Sequence, residues 1–309
     1  MSLKFTFLFI IAFYIFLPLQ TSIKQDLVLD RSGFSLHGTL LLTDTFKTPV
    51  ALIISGSGPT DRNGNQPKLI NNSLKMLAEL LQTQGIASLR YDKRGIGQSR
   101  IKNLNESELR FEDYVGDASA WLKLLQEDER FNKIIVIGHS EGSLIGILAA
   151  QSSSIDQFIS LAGPGRSADM LLKEQLSKQK LVSYFANPLI NDLVEGKQVK
   201  APFFLKTLFR PSVQPYLISW FKYNPEIEIT KLKADSLIIQ GTNDLQVSVE
   251  DARILATSSD RAELRIVVGM NHILKNTSQY EKENISSYNQ PEMPINKELI
   301  SEIVKFINQ

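Results

Sequence analysis

Short, continuously apolar, β-branched runs alternate along this chain with longer segments whose apolar residues recur every three or four positions. The first kind fits strands buried on both faces, the second helices with one buried stripe. Asp26 to Asp30 and Phe34 to Thr43 are β-rich runs separated by Arg31-Ser32-Gly33, which predicts an antiparallel hairpin. Strands are then expected at Val50 to Ile54, Ile86 to Tyr91, Ile134 to Ile137, Phe158 to Ala162, Ser236 to Gln240 and Glu263 to Val268. Helical spacing falls between them, over Leu69 to Leu81 with Gly85 as its stop, Phe111 to Gln126, Val249 to Ala256 and Lys297 to Ile307. The polar stretch Lys275 to Asn296 reads as loop. Repeated strand–helix units predict an α/β fold, a mostly parallel central sheet flanked by helices.

The alternation lapses between about Ser167 and Ile229, where long helical stretches carry Phe203, Phe204, Phe209, Tyr216, Trp220, Phe221 and Tyr223. This is the pattern of an inserted helical cap, with these aromatics expected to form its own small core. The organisation expected is therefore a core from 23 to 166, a cap from 167 to 229 and a second core part from 230 to 309.

In Gly138-His139-Ser140-Glu141-Gly142 an apolar strand breaks and an apolar helix begins. A serine between two glycines at such a junction is the nucleophile-elbow pattern G-x-S-x-G, whose tight turn holds the hydroxyl proud of the sheet. The free N–H groups of the following helix point at the same spot and suit an oxyanion. Ligands of an open parallel sheet sit at the carboxyl ends of its strands. Ser140, the Gly- and Asn-rich loop Ser55 to Asn65, Asp244 and His272 each follow an expected strand, so all four fall on that edge.

A serine nucleophile needs a base, and the base needs an orienting acceptor. Of the three histidines, His37 lies inside the N-terminal strand pattern, and His139 leaves the elbow in a different direction from Ser140 and is expected to pack beside it. His272, in Gly269-Met270-Asn271-His272 after the last strand, is the expected base. Asp244, in Gly241-Thr242-Asn243-Asp244, is the expected acid, better placed than Asp235 or Asp169. The oxyanion hole is expected from the backbone N–H groups of Glu141 and Ser57, with Gly56 and Gly58 allowing close approach. Asp92-Lys93-Arg94-Gly95 is expected to fix the neighbouring loop through ion pairs. The Ser55 loop is no dinucleotide fingerprint, because Asp61 stands at the third glycine position, and no phosphate-loop motif follows it.

Composition narrows the partners. The 309 residues include no cysteine, which excludes disulfides, thiolate metal sites and a cysteine nucleophile. A formal net charge of +1 without a charge block gives no nucleic-acid footprint. Lys4 followed by the apolar run Phe5 to Leu17, Pro18 and small polar residues has the layout of a secretory signal over residues 1–22. Secretion or a periplasmic location is expected, with no stable membrane anchor after cleavage.

Taken together, the elbow, Gly241-Thr242-Asn243-Asp244, Asn271-His272 and the run Ser55 to Gly64 resemble the α/β-hydrolase superfamily over nearly all of the chain after the signal segment. The Ser55 loop is similar to a secreted bacterial branch of carboxylesterases and serine aminopeptidase-like hydrolases. Ser55 departs from the histidine that many esterases carry in their oxyanion motif. The resemblance implies the α/β-hydrolase fold and serine acyl transfer, with no metal or organic cofactor. The expected function is hydrolysis of small esters with short or medium acyl chains through an acyl-enzyme on Ser140. A peptidase using the same three residues is the alternative, favoured if acidic residues of the cap such as Glu174, Asp192 and Glu195 face the pocket. A non-catalytic binding protein of the same fold is the remaining rival. Oligomeric state is not legible.

Overall fold

The computed structural model describes residues 23–309; the expected signal segment lies outside them. The first half of the chain comprises β1 (Ile23–Arg31), β2 (Phe34–Leu42), β3 (Thr48–Ile54), α1 (Ser73–Thr83), β4 (Ala87–Tyr91), α2 (Phe111–Gln126), β5 (Phe131–His139), α3 (Glu141–Gln151) and β6 (Gln157–Leu161). Five helices follow: α4 (Ala168–Ser177), α5 (Lys180–Val194), α6 (Lys206–Phe209), α7 (Gln214–Trp220) and α8 (Pro225–Ile229). The chain closes with β7 (Asp235–Gly241), α9 (Val249–Thr257), β8 (Ala262–Val267), α10 (Glu281–Ser286) and α11 (Lys297–Ile307).

The eight strands form one sheet in the order β1-β2-β4-β3-β5-β6-β7-β8. β1, β2 and β4 pair antiparallel, and every pair from β4 through β3 to β8 is parallel. The two-residue period of a strand divides the central side chains between two cores. Val50, Leu52 and Ile54 of β3, with Ile134 and Val136 of β5, face the side covered by α2, α3 and α9. Ala51 and Ile53, with Ile135 and Ile137, face α1 and α11. These strands read as unbroken apolar runs because both faces are buried.

Helices α4 to α8 lie between β6 and β7; α4 to α7 and the 3₁₀ turn at Phe203–Leu205 bury Ala168, Ala186, Ile190, Leu193, Leu205, Phe209 and Leu217 in a core of their own, whereas Ile229 of α8 joins the main core. The cap is seated on α2, where Phe111 stacks on Trp220 with ring centroids 5.8 Å apart and planes at 6°. The aromatics do not all join that core: Phe209 and Phe221 are buried, whereas Phe203 and Phe204 face solvent.

Two expectations are corrected. The helix expected from Leu69 begins at Ser73, because Asn65 Oδ1 accepts the N–H groups of Asn71 and Asn72 and Asn72 adopts a left-handed conformation (φ 55°), so Leu69 and Ile70 remain in the loop. The stretch Lys275 to Asn296, read as loop, contains α10 and a 3₁₀ turn over Ser287–Asn289. Polar contacts hold that segment in place. Asn284 donates to the Asn243 carbonyl, and Asn271 donates to Asn284 Oδ1 and Ser287 Oγ, so no apolar period betrayed it.

Candidate active site

The elbow between β5 and α3 leaves no room for side chains on its glycines. A methyl group on Gly138 would lie 2.4 Å from the Gly142 carbonyl oxygen, and one on Gly142 would lie 2.3 Å from that of Ile54. Ser140 itself has φ 55° and ψ −124°, a conformation that costs a non-glycine residue about 1–3 kcal/mol. Packing of β5 against β3 and β6 sustains it, and the hydroxyl is presented at the sheet edge.

His272 follows β8 and Asp244 follows β7, and the sheet brings both to Ser140. His272 Nε2 lies 3.1 Å from Ser140 Oγ, and His272 Nδ1 lies 2.8 Å from Asp244 Oδ2. An ionised carboxylate only accepts, so Nδ1 carries the proton and Nε2 is free to take that of the serine. The Asp244 side chain is fully buried. It accepts from Gln240 Nε2 and from the N–H groups of Gln246 and Val247 as well. Burial works to raise its pKa; the His272 imidazole and these hydrogen bonds outweigh that and hold the carboxyl below the usual carboxylate range.

The competing residues lie elsewhere. Two strands, β4 and β3, separate His37 on β2 from β5. Asp235 pairs with Arg261 at the surface, and Asp169 pairs with Lys173 on α4.

Among the described residues neither the Ser57 N–H nor the Glu141 N–H has an acceptor, and both residues line one cavity with Ser140. The loop carrying Ser57 is tied by its own side chains. Asp61 Oδ1 accepts from the N–H groups of Asn63 and Asn65, and Thr60 Oγ1 donates to the Ser57 carbonyl. A methyl on Gly56 would lie 3.0 Å from Ser140 Cβ, so this backbone runs directly past Ser140.

The sequence marked Lys93 only as part of a loop-fixing cluster. It is 2% exposed and donates to the Gly56 carbonyl at 2.6 Å and to Glu141 Oε2 at 3.0 Å, which joins the Ser57 loop to the elbow. Tyr216, from α7 of the cap, donates to the other oxygen of Glu141. The rest of the cluster ties neighbouring segments together: Asp92 pairs with Arg62, and Arg94 with Asp113 and Asp117.

His139 has its own function in the geometry. Its Nε2 lies 2.7 Å from the His272 carbonyl, which can only accept, so the proton is on Nε2 and the bond holds the loop of the second histidine. Its buried Nδ1 has no partner. Burial, with the neighbouring His272 adding to it, lowers the His139 pKa to about 4. The unfolded chain thus takes up a proton below pH of about 6.5 that the folded chain refuses until about pH 4, and stability is lost as pH falls through that window. The lowered value corresponds to about 3 kcal/mol of lost stability. Urea unfolding between pH 7.5 and pH 4.5 is expected to show this slope, and His139→Gln is expected to flatten it.

Two cavities open on Ser140. One, of about 240 Å³, has a mixed wall that includes Thr60, Gln66, Asn71, Gln246 and Tyr288 beside Leu69 and Ile273. The other, of about 250 Å³, lies under the cap and is walled by Leu171, Leu172, Leu217, Trp220 and Phe221. A larger one of about 690 Å³ adjoins it through Ser57, Glu141 and Trp220. Sequence reasoning missed Gln66, Asn71 and Tyr288; the density of Asn and Gly in the Ser55 loop was the only signal for the first two. The cap acids Glu174, Asp192 and Glu195 line none of these cavities. Glu174 is paired with Arg166 and Glu195 with Lys197. The carboxylates that do line them, Glu141 and Glu106, are paired with Lys93 and Arg210. No cluster of three or more potential metal-ligating His, Cys, Asp or Glu side chains occurs among the described residues.

Comparison with known proteins gives a match of residues 71–263, well over half of the chain, to the family described as serine aminopeptidase, S33. The matched stretch contains Ser140 and Asp244 and stops short of His272. The chain is 27% identical over 232 residues to Esterase EstD of Thermotoga maritima, an alignment covering 73% of this chain and 54% of that protein. It thus spans about half the length of that curated relative. Est1E of Butyrivibrio proteoclasticus with bound ferulic acid has a similar structure, with a TM-score of 0.61 at 18% identity over 91% of this chain and 97% of that one. A Pyrococcus furiosus esterase superposes with a TM-score of 0.60 at 18% identity over 93% of this chain and 91% of that one. These likenesses establish the α/β-hydrolase fold.

Proposed function

The chain belongs to the serine aminopeptidase S33 family, and on that premise we propose that it is a serine hydrolase cleaving carboxylic esters through an acyl-enzyme on Ser140. The observation that carries this reading is the unbroken chain Ser140–His272–Asp244 beside two unpartnered backbone donors. His272 Nε2 takes the hydroxyl proton as Ser140 Oγ attacks the acyl carbon, and the Ser57 and Glu141 N–H groups receive the oxyanion. Collapse of the tetrahedral adduct expels the alcohol, which leaves with the proton from His272. Water, deprotonated by the same nitrogen, then releases the acid. Asp244 keeps the imidazole in the tautomer both steps need.

Ester rather than amide cleavage is supported by the charges. A free carboxylate is the strongest partner for the ammonium of an aminopeptidase substrate, and the carboxylates lining the cavities beside Ser140 are already paired with Lys93 and Arg210. The name of the Thermotoga maritima relative supports the same preference. The apolar cavity under the cap suits an acyl chain of short to medium length, and the other, which offers Thr60, Gln66 and Asn71 as hydrogen-bonding groups, suits the alcohol. Export by the N-terminal apolar run completes the reading.

The test is turnover of chromogenic acyl esters of increasing length beside aminoacyl anilides, with a fluorophosphonate probe mapped by peptide mass. Esters are expected to react, with an optimum at short or medium chains, and the probe to label Ser140. Preferential cleavage of anilides would replace the esterase reading by the peptidase one. Failure of every substrate with no label at Ser140 would remove both.

A further inference from the structure

Among the described residues, nothing covers a set of apolar side chains on the cap. On α5 one face buries Ala186, Ile190 and Leu193, while Leu181, Tyr184 and Phe185, at the i, i+3, i+4 positions of one face, are exposed. Leu181 is 70% exposed, Tyr184 73% and Phe203, in the 3₁₀ turn before α6, 87%. They form one ridge with their neighbours: Tyr184 and Phe185 are in edge contact at 5.2 Å, and Phe185 meets exposed Phe204 at 5.6 Å. Four residues beyond Phe204, half-exposed Leu208 belongs to the walls of both cap cavities. The ridge therefore runs from solvent to the chamber that contains Ser140.

The charges beside it are mostly positive. Between residues 178 and 206 stand five lysines against two carboxylates, a surplus of three positive charges, whereas the whole chain carries +1. Lys178, Lys180, Lys200 and Lys206 are exposed with no carboxylate within salt-bridge distance among the described residues, and Lys206 lies 5.8 Å from the Phe203 ring centroid. Aromatic rings and leucine interleaved with unpaired lysines match the boundary of a lipid layer, where acyl carbons and anionic phosphates lie within a side chain's length of each other. No helix among the described residues is long and apolar enough to cross a membrane, so the contact is peripheral.

We propose that the cap ridge Leu181–Tyr184–Phe185–Phe203–Phe204, with its flanking lysines, docks the protein on an anionic lipid surface. Resting on the esterase reading, the consequence is that acyl esters held in that surface reach Ser140 past Leu208 without crossing bulk water.

The test uses the full chain carrying Ser140→Ala, so that no lipid is consumed, with phosphatidylcholine vesicles made with or without phosphatidylglycerol. Hydrogen exchange at amides within 178–208 is expected to slow on the anionic vesicles and to recover in high salt. Phe203→Ser with Phe204→Ser, and separately Lys200→Glu with Lys206→Glu, are each expected to weaken vesicle binding by about tenfold or more. In the chain that keeps Ser140, the same pairs are expected to leave turnover of a soluble ester unchanged. Unaltered exchange at 178–208, or protection confined to residues 1–22, overturns the proposal. Protection of the ridge that rises with protein concentration without vesicles also overturns it, in favour of a second copy. Vesicle binding is read without catalysis, so failure of the esterase reading and failure of docking are separate results.

Discussion

Ser140→Ala and His272→Ala are each expected to lower kcat by about 10⁶, and the double variant to lose little more, because nucleophile and base act as a unit. Without the imidazole 3.1 Å away the hydroxyl keeps its proton, and without the hydroxyl the imidazole has nothing to activate. Asp244→Asn is expected to cost about 10⁴. An amide presents N–H as readily as C=O and no longer selects the tautomer with the proton on Nδ1. Four donors converge on the Asp244 carboxylate, so the amide nitrogen also meets a donor wherever it turns. Single-turnover acylation of the three variants, beside equilibrium unfolding to show that each is folded, checks the ranking. An Asp244→Asn chain as active as the parent would place the orienting acceptor elsewhere.

The parts legible in sequence share a physical cause. Strands β3 and β5 are buried on both faces, so their patterns are unbroken, and Gly138 and Gly142 are dictated because a side chain on either would lie within 2.5 Å of backbone. Ser140, Asp244 and His272 each follow a strand in the parallel part of the sheet, and topology alone brings them to one edge. What stayed hidden depends on polar side chains that meet across large sequence separations. α10 is fastened by Asn271, Asn284 and Ser287, which leave no apolar period. Glu141 could be named for its backbone because the motif names it; nothing local announces that its side chain, between Lys93 and Tyr216, joins three segments. The ridge on α5 hides for the opposite reason. Its apolar residues occupy both faces of the helix, and periodicity does not tell which face finds a partner.

The deepest of these hidden contacts carries the second prediction. The peptide between Gly56 and Ser57 is trans, so its C=O and N–H point in opposite directions. Lys93 Nζ binds that carbonyl at 2.6 Å, which turns the Ser57 N–H away from the lysine and fixes the peptide plane. Lys93→Met leaves the plane free to rotate, and the loss of one oriented oxyanion donor is expected to lower kcat by about 10²–10³ with KM little changed. The same change leaves Glu141 buried with Tyr216 as its remaining side-chain partner. Breaking a buried pair in this way costs about 3–5 kcal/mol of stability. The two effects separate in the double variant Lys93→Met with Glu141→Gln, where the stranded charge is gone and the Gly56 carbonyl still lacks its donor. Urea unfolding is expected to recover most of the stability, while kcat stays low and affinity for a boronic acid that mimics the tetrahedral adduct stays reduced in step. Recovery of kcat together with stability would reduce Lys93 to a scaffold residue and return the orientation of the Ser57 N–H to the loop's own Asp61 and Thr60 hydrogen bonds.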